Sequence, residues 1–352
     1  MIQLSNSISP AIAALGAALF FGASTPFAKQ FLNHISPVLV AGLLYAGSGL
    51  GLFVIRFFRD KGWSKTGLVK SEWLWLVGAI IFGGIFGPIL LMTGLQQTSA
   101  ANASLLLNLE SVLTALLAWV VFKEHTDFKI VFGMIIIVIG GVLLSWPNAT
   151  TAEYSMFGSL AIAGACLCWA IDNNLTRKIS LGDVLFIAAS KGAIAGLVNI
   201  SIAVAFNEQF PVWSHISAVL TIGFIGYGAS LVLFVLALRG LGTARTGAYF
   251  CTAPFIGATI AIIFFHEITS GFFWTAFILM AVGVWLHLTE RHSHEHVHDA
   301  FEHDHTHTHD EHHQHDHDFP WDGKEPHAHQ HPHKSLKHSH HHYPDIHHRH
   351  KH

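Results

Sequence analysis

Residues 98–124 read TSAANASLLLNLESVLTALLAWVVFKE, and residues 241–267 read LGTARTGAYFCTAPFIGATIAIIFFHE. The two stretches belong to a longer ungapped match of Leu95–Gly140 with Leu238–Gly283, in which Ala101 falls on Ala244, Thr114 on Gly257, Glu124 on Glu267 and Gly140 on Gly283. Each is mostly apolar over more than the roughly 20 residues a helix needs to cross a bilayer. The chain therefore carries one membrane-spanning unit twice.

Working outward, the apolar runs predict ten spans, at about 11–32, 37–58, 72–95, 98–122, 128–146, 156–176, 184–206, 215–238, 243–265 and 271–289. Charge supports this division, because Lys and Arg prefer cytoplasmic loops. With the N-terminus inside, eleven basic residues flank the cytoplasmic ends: Arg56, Arg59, Lys61, Lys65, Lys70, Lys123, Lys129, Arg177, Lys178, Arg239 and Arg245; only Lys29 flanks the outer ends. Five spans per half is an odd number, so the second half enters the membrane inverted, and an even total puts both termini in the cytoplasm. The expected fold class is an all-α, multi-pass membrane protein: ten transmembrane helices in two inverted five-helix repeats, residues 11–147 and 155–289, followed by a disordered tail at 290–352. Inverted repeats are a transporter architecture, with the site near the midplane where the repeats meet.

Composition separates body from tail. Residues 1–289 hold 13 Lys/Arg and 10 Asp/Glu, whereas the last 63 residues hold 24 of the 29 histidines together with 6 Lys/Arg and 12 Asp/Glu. Such a tail cannot bury a core of its own. The first apolar run lacks a basic leader and outlasts a signal peptide. Cys166, Cys168 and Cys251 read as small packing residues in apolar runs.

Thr98-Ser99-Ala100-Ala101 at the start of span 4, Lys123-Glu124-His125 at its end, Gly242-Thr243-Ala244-Arg245, Pro254 and His266-Glu267 in the second half, Phe21-Gly22 in span 1 and Trp169-Ala170 in span 6 carry a family resemblance. With these motifs the body, about 11–147 and 155–289, resembles the EamA-domain transporters of the drug/metabolite transporter superfamily. The resemblance implies ten helices and movement, mostly outward, of small organic molecules. One departure is that Ser111, preceded by Glu110, stands at the position matching Pro254, which puts a local helix break there in question.

An ionised side chain at mid-bilayer costs roughly 2.5–3.5 kcal/mol on insertion scales, so it faces a cavity or a partner. Glu110, twelve residues into span 4, is either a substrate, ion or proton ligand or a protonated carboxyl bonded to a neighbouring helix. On a continuous helix Asn102 lies roughly 80° from it and Asn108 roughly 160°, which makes Asn102 the expected companion. Asp172, Asn173 and Asn174 lie near the cytoplasmic end of span 6, and Lys191 lies at similar depth in span 7. An Asp172–Lys191 ion pair is expected, whether structural or lining the pathway. Arg245 reads as snorkelling to the cytoplasm. His34, His125, His215 and His266 read as interfacial, and Glu124 and Glu267 as structural residues at helix ends.

In the tail, His292, His294, His296, His298, His303, His305, His307 and His309 alternate with other residues, and His312, His313, His315 and His317 follow. Imidazole is a good ligand for zinc, nickel, cobalt and copper, and an i, i+2 spacing puts rings on one side of an extended segment. No tail residue is Cys, so a closed Cys/His zinc finger is not expected. Binding of several Zn²⁺, Ni²⁺ or Co²⁺ ions is expected, with release as imidazole protonates.

Two functions follow: export of a small organic metabolite or drug-like compound by alternating access, with the tail as an accessory; or efflux of nickel, cobalt or zinc, with the tail collecting ions at the cytoplasmic mouth. The absence of paired His, Asp, Glu or Cys within the spans favours the first. No P-loop is present, which leaves proton coupling or exchange as the drive. The expected setting is the inner (cell) membrane, its partners the lipid bilayer and a small-molecule or metal substrate; a homodimer is compatible with this body. Neither an enzyme activity, a nucleic-acid partner nor a required cofactor is expected.

Overall fold

The computed structural model describes residues 9–62, 66, 68–121, 128–146, 156–179, 182–288, 292–298, 302–307, 327–332 and 336–342. They form a helical body, Met1–Glu290, and a separate tail unit, Arg291–His352.

The body contains α1 (Pro10–Lys29), α2 (Pro37–Asp60), α3 (Glu72–Ala79), a π-helical segment π1 (Ile80–Phe86), α4 (Gly87–Gln96), α5 (Ala100–Leu106), α6 (Leu109–Val120) and α7 (Phe128–Ser145). It continues with α8 (Met156–Arg177), α9 (Val184–Ala205), α10 (Trp213–Gly223), π2 (Phe224–Ala229), α11 (Ser230–Phe250), α12 (Ala253–Phe265) and α13 (Gly271–Leu288). Sequence sets several starts. Ser36 caps α2 by accepting from the Leu39 N–H at 3.2 Å, with Pro37 following. Ser99 caps α5 through the Asn102 N–H at 3.0 Å, and Asp183 caps α9 through Leu185 at 3.0 Å. Each satisfies an amide that the first helical turn leaves open.

Among the described residues, eight helical stretches are long and apolar enough to cross a membrane, and two shorter apolar helices, Ala253–Phe265 and Gly271–Leu286, follow. The outer surface is studded with large apolar side chains such as Leu74, Phe128, Leu197 and Trp285. A body that exposes so much apolar area is solvated by lipid.

The expected boundary between spans 8 and 9 falls inside α11. Phe234 and Phe250 are sixteen residues apart in this helix, which on a straight axis would separate them by about 24 Å. Their ring centroids are 4.9 Å apart. α11 is therefore sharply bent between these two residues.

Helix pairing exchanges between the halves. α2 packs on α9 and α7 on α13; α1 packs on α11 and α12, while α8 packs on α4 and α6. At the α7–α13 contact, a Cβ added to Gly140 would lie 3.3 Å from Ala276 O and 2.9 Å from Met280 Cγ. One added to Gly283 would lie 2.8 Å from Gly133 O and 2.6 Å from Ile137 Cγ1. In the sequence match Gly140 stands for Gly283, Gly133 for Ala276 and Ile137 for Met280, so the two contacts are each other's counterparts. π1 and π2 likewise fall at matching positions. The α2–α9 interface is closer still: a Cβ at Gly49 would sit 2.1 Å from Ala193 N, so glycine is what lets these backbones meet.

The tail differs from the sequence expectation of a segment without regular structure. Four strands are described in it: β1 (His292–His298), β2 (Glu302–His307), β3 (His327–Pro332) and β4 (Leu336–His342), with β1 antiparallel to β4 and β2 to β3. The physical reason is the period of two in its His pattern, which suits a pleated strand.

Candidate functional site in the helical body

A break in the fourth span builds the site. The chain leaves the helix at Leu107–Asn108 and re-enters at Leu109. One carbonyl that the break releases, Leu106 O, is taken up by Cys166 Sγ of α8 at 3.7 Å, while Leu105 O accepts both the Asn108 N–H at 3.0 Å and Asn108 Nδ2 at 2.9 Å. Ser111 Oγ donates to Asn108 O at 2.8 Å. The break that proline would mark is thus present without proline, built by Asn108, Ser111 and a neighbouring thiol. Discontinuous spans survive in lipid only when their freed groups find such partners. The counterpart in the second half is the turn at Cys251–Thr252 ahead of Pro254, where Thr252 Oγ1 donates to Tyr249 O at 2.6 Å.

Glu110 lies in the first turn of α6, so its carboxylate is next to the positive end of that helix. Asn173 of α8 donates from Nδ2 to Glu110 Oε1 at 2.8 Å. One residue earlier on α8, Asp172 is 5% exposed and receives Lys191 Nζ at 2.7 Å on Oδ1 and 2.5 Å on Oδ2. Thr176 Oγ1 adds a donor to Asp172 Oδ1 at 2.9 Å. Both Asp172 and Lys191 lie within coulombic range of Glu110. Four of the five body residues expected from sequence, Glu110, Asn173, Asp172 and Lys191, therefore form one group.

Asn102 does not join it. No hydrogen bond links Asn102 to Glu110 among the described residues, and the angular argument that paired them assumed a helix unbroken at Leu107–Asn108. Of the tail histidines, His292, His294, His296, His298, His303, His305 and His307 lie in strands. His309, His312, His313, His315 and His317 lie outside the described residues, as do Glu124 and His125.

The π1 segment supplies the wall beside Asp172. A Cβ at Gly83 would fall 2.0 Å from Asp172 Oδ2, so only glycine lets the carboxylate pack there. Its carbonyl accepts Tyr45 Oη at 2.6 Å and Trp169 Nε1 at 3.0 Å, and Gly84 O accepts Asn199 Nδ2 at 3.2 Å. π-Helical turns leave carbonyls off the regular ladder, and three side chains from α2, α8 and α9 take them. Nearby, Phe21 contacts Trp169, Tyr227 and Phe250 at centroid distances of 6.3, 5.8 and 5.4 Å, and Tyr45 meets Tyr227 at 5.4 Å. This aromatic cluster joins elements of both halves. Sequence reasoning missed Tyr45, Cys166, Thr176 and Asn199; the signal for them was a polar side chain in an otherwise apolar run.

Contacts gather at the two ends of the bundle. At one, Glu267 accepts the Ala100 and Ala101 N–H groups at 2.8 Å each, and Lys29 Nζ donates to Leu95 O and Thr98 O at 2.6 Å. Glu267 thus caps α5, the structural role expected of it. Ser36 bonds Glu208, and the rings of His34 and His215 stack at 5.8 Å. At the other end, Asp183 receives Arg56 Nε at 2.9 Å and Arg59 Nη2 at 2.7 Å, tying α2 to α9. Burial alone would raise the Asp183 pKa, but the two guanidinium groups hold its carboxyl below the usual carboxylate range.

A lipid-exposed helical bundle with a broken span and a buried charge group is the kind of body that membrane transporters have. Residues 8–146 and 156–289 match the EamA-like transporter family, and the chain belongs to it. It is 28% identical over 291 residues to an uncharacterized transporter of Methanothermobacter thermautotrophicus, a match covering 78% of this chain and 84% of that one. It is also 34% identical over 107 residues, 30% of this chain and 90% of the relative, to a probable 4-amino-4-deoxy-L-arabinose-phosphoundecaprenol flippase subunit ArnE of Pseudomonas fluorescens. A crystal structure covering 79% of this chain and 96% of its own superposes with a TM-score of 0.59 at 21% identity, a likeness of fold.

Proposed function

We propose that the chain exports a small organic solute by alternating access, in the inner membrane, through ten spans arranged as two inverted five-helix halves with both termini cytoplasmic. The exchanged helix pairings, the counterpart glycine contacts of Gly140 and Gly283, the matching π-segments and the bend inside α11 support the ten-span inverted arrangement. The ArnE relative, described as part of a flippase, supports a small-molecule cargo.

The observation that carries the reading is the Glu110–Asn173 contact beside the Asp172–Lys191 pair. Lys191 balances Asp172, which leaves Glu110 as the surplus carboxylate. A lone carboxyl at a half-helix N-terminus takes up a proton or a cationic solute group as the pathway opens to one side and then the other. Among the described residues no group of three or more His, Cys, Asp or Glu is arranged to hold a metal ion, which favours an organic cargo over divalent-metal efflux for the body. The tail, residues 290–352, binds Zn²⁺, Ni²⁺ or Co²⁺ as an accessory to this pathway. The test is transport by Glu110→Gln across pH: loss of transport in a correctly inserted protein supports the reading, and wild-type transport at every pH removes it.

A further inference from the structure

The matched stretches of the two halves differ in one helix contact. α5 packs on α12. A Cβ added to Gly257 of α12 would lie 2.7 Å from Ser104 Oγ and 3.1 Å from Ser104 Cβ of α5. Just beyond α12, Glu267 accepts the Ala100 and Ala101 N–H groups that open α5. In the ungapped match Gly257 stands for Thr114, Ser104 for Gly247, and Ala100 and Ala101 for Thr243 and Ala244. The counterpart of the α5–α12 contact is therefore α6 against the last turns of α11, with Thr114 set against Gly247.

That counterpart is not made. Among the described residues, nothing lies within 4 Å of a Cβ added to Gly247, and α6 and α11 do not pack as α5 and α12 do. Thr243 and Ala244 lie inside α11, whereas Ala100 and Ala101 open a helix. The side chains for the contact are nonetheless in place. Each pair sets a glycine of the second half against a small hydroxyl residue of the first, a combination that lets helices approach closely in lipid. Ser104 Oγ and Thr114 Oγ1 have no hydrogen-bond partner among the described residues, so neither hydroxyl is committed elsewhere. The flanking contacts are alike in both halves: α12 packs on α1, and α6 on α8.

Two equivalent halves that differ in one contact have a second state, related by the pseudo-two-fold axis, in which the other pair makes it. We propose that the structure is the cytoplasm-open state, and that Thr114 on α6 and Gly247 on α11 form the closing contact of the cytoplasmic gate when Ser104 and Gly257 part at the outer one. Glu110 lies in the first turn of α6, so closing α6 on α11 covers it from the cytoplasm. Asn173, which donates to Glu110, is exposed in the present state. The inference rests on the inverted ten-span reading above and goes further by naming which helices move and where they meet.

The experiment uses the full-length protein in right-side-out membrane vesicles, with Cys166, Cys168 and Cys251 replaced by Ser, and needs no cargo. Ala261→Cys, buried on α12 one turn beyond Gly257, reports outer opening through labelling by an impermeant maleimide. Thr114→Cys with Gly247→Cys reports cytoplasmic closure through disulfide formation under copper phenanthroline, because a disulfide needs Cβ atoms about 3.5–4.5 Å apart. Leu116→Cys with Gly247→Cys is the control, since Leu116 is exposed and lies about 200° around α6 from Thr114. Gly247→Leu has room in the present state and is expected to unfold within about 3 °C of the parent in detergent, yet to hold the gate open.

The Thr114–Gly247 pair is expected to bridge at least about fivefold faster than the control, and Gly247→Leu to lower outside labelling of Ala261→Cys at least about fivefold. Bridging no faster than the control would overturn the gate and leave the inverted arrangement standing, whether or not Gly247→Leu folds. So would outside labelling of Ala261→Cys that is absent in the parent or unchanged in a folded Gly247→Leu protein. Labelling of Ala261→Cys only in inside-out vesicles would overturn both.

Discussion

At the scale of single residues, the buried Asp172–Lys191 pair and Glu110 do different things. Asp172 and Lys191 are 8% and 18% exposed at the side chain. Removing one partner leaves a buried charge without its counter-ion, a loss of about 3–5 kcal/mol. Asp172→Asn is therefore expected to lower thermal stability in detergent markedly, and Asp172→Asn with Lys191→Met to recover most of it. If the double variant is as unstable as the single, the ion pair is not what Asp172 contributes. Glu110→Gln keeps the shape and the hydrogen bond from Asn173, so it should insert and fold normally yet transport at least about tenfold less, the equivalent of 1.4 kcal/mol. The pairing of Asp172 with Lys191 was legible in the sequence because two charges at equal depth on antiparallel neighbours have few other places to go. The partner of Glu110 was not. Helical angles carry no information across a break, and the break was hidden because Asn108, Ser111 and Cys166 make it rather than proline.

At the scale of elements, the ends of α2 and α9 are held by unlike contacts. At one end Ser36 bonds Glu208; at the other Arg56 and Arg59 bond Asp183. The Asp183 carboxyl is held below its usual pKa in the folded protein. A depressed carboxylate contributes stability that is present above its unfolded value, about pH 4, and is lost as pH falls through the folded value. Asp183→Asn is thus expected to unfold more easily than the parent near neutral pH, with the difference shrinking in acid below about pH 4. A constant difference across that range, measured by thermal unfolding in detergent, would contradict this assignment. The π-segments belong to this scale too. Gly83 and Gly84 mark the first in sequence, but nothing local says that Tyr45, Trp169 and Asn199 will reach its carbonyls, because those partners are distant along the chain. Gly83→Ala would drive a methyl into Asp172, so it is expected to cost transport and stability together. The strands of the tail were not expected from the sequence, which read as a disordered segment; the register that opposes His294 to His340 depends on residues beyond any local window.

At the scale of the whole molecule, two halves are expected from the ungapped match of Leu95–Gly140 with Leu238–Gly283, and the family match likewise falls in two stretches, 8–146 and 156–289. Under the proposed ten-span arrangement, the bend inside α11 would mark the span boundary near Arg239 and Arg245. In a background lacking Cys166, Cys168 and Cys251, Ser155→Cys is expected to react with an impermeant thiol reagent from outside, and Ser293→Cys only after permeabilisation. Outside labelling at position 293 would remove the ten-span arrangement. The central claim is an organic-solute pathway through the helical body, with Glu110 in it and the tail outside it. Its most direct test is growth of a sensitive strain on a panel of toxic metabolites and of zinc, nickel and cobalt salts, carrying the full chain, the chain without 290–352, or Glu110→Gln. The full and truncated chains are both expected to protect against at least one organic compound, and Glu110→Gln is expected not to. Protection against metals alone, lost with the tail and kept by Glu110→Gln, would contradict it.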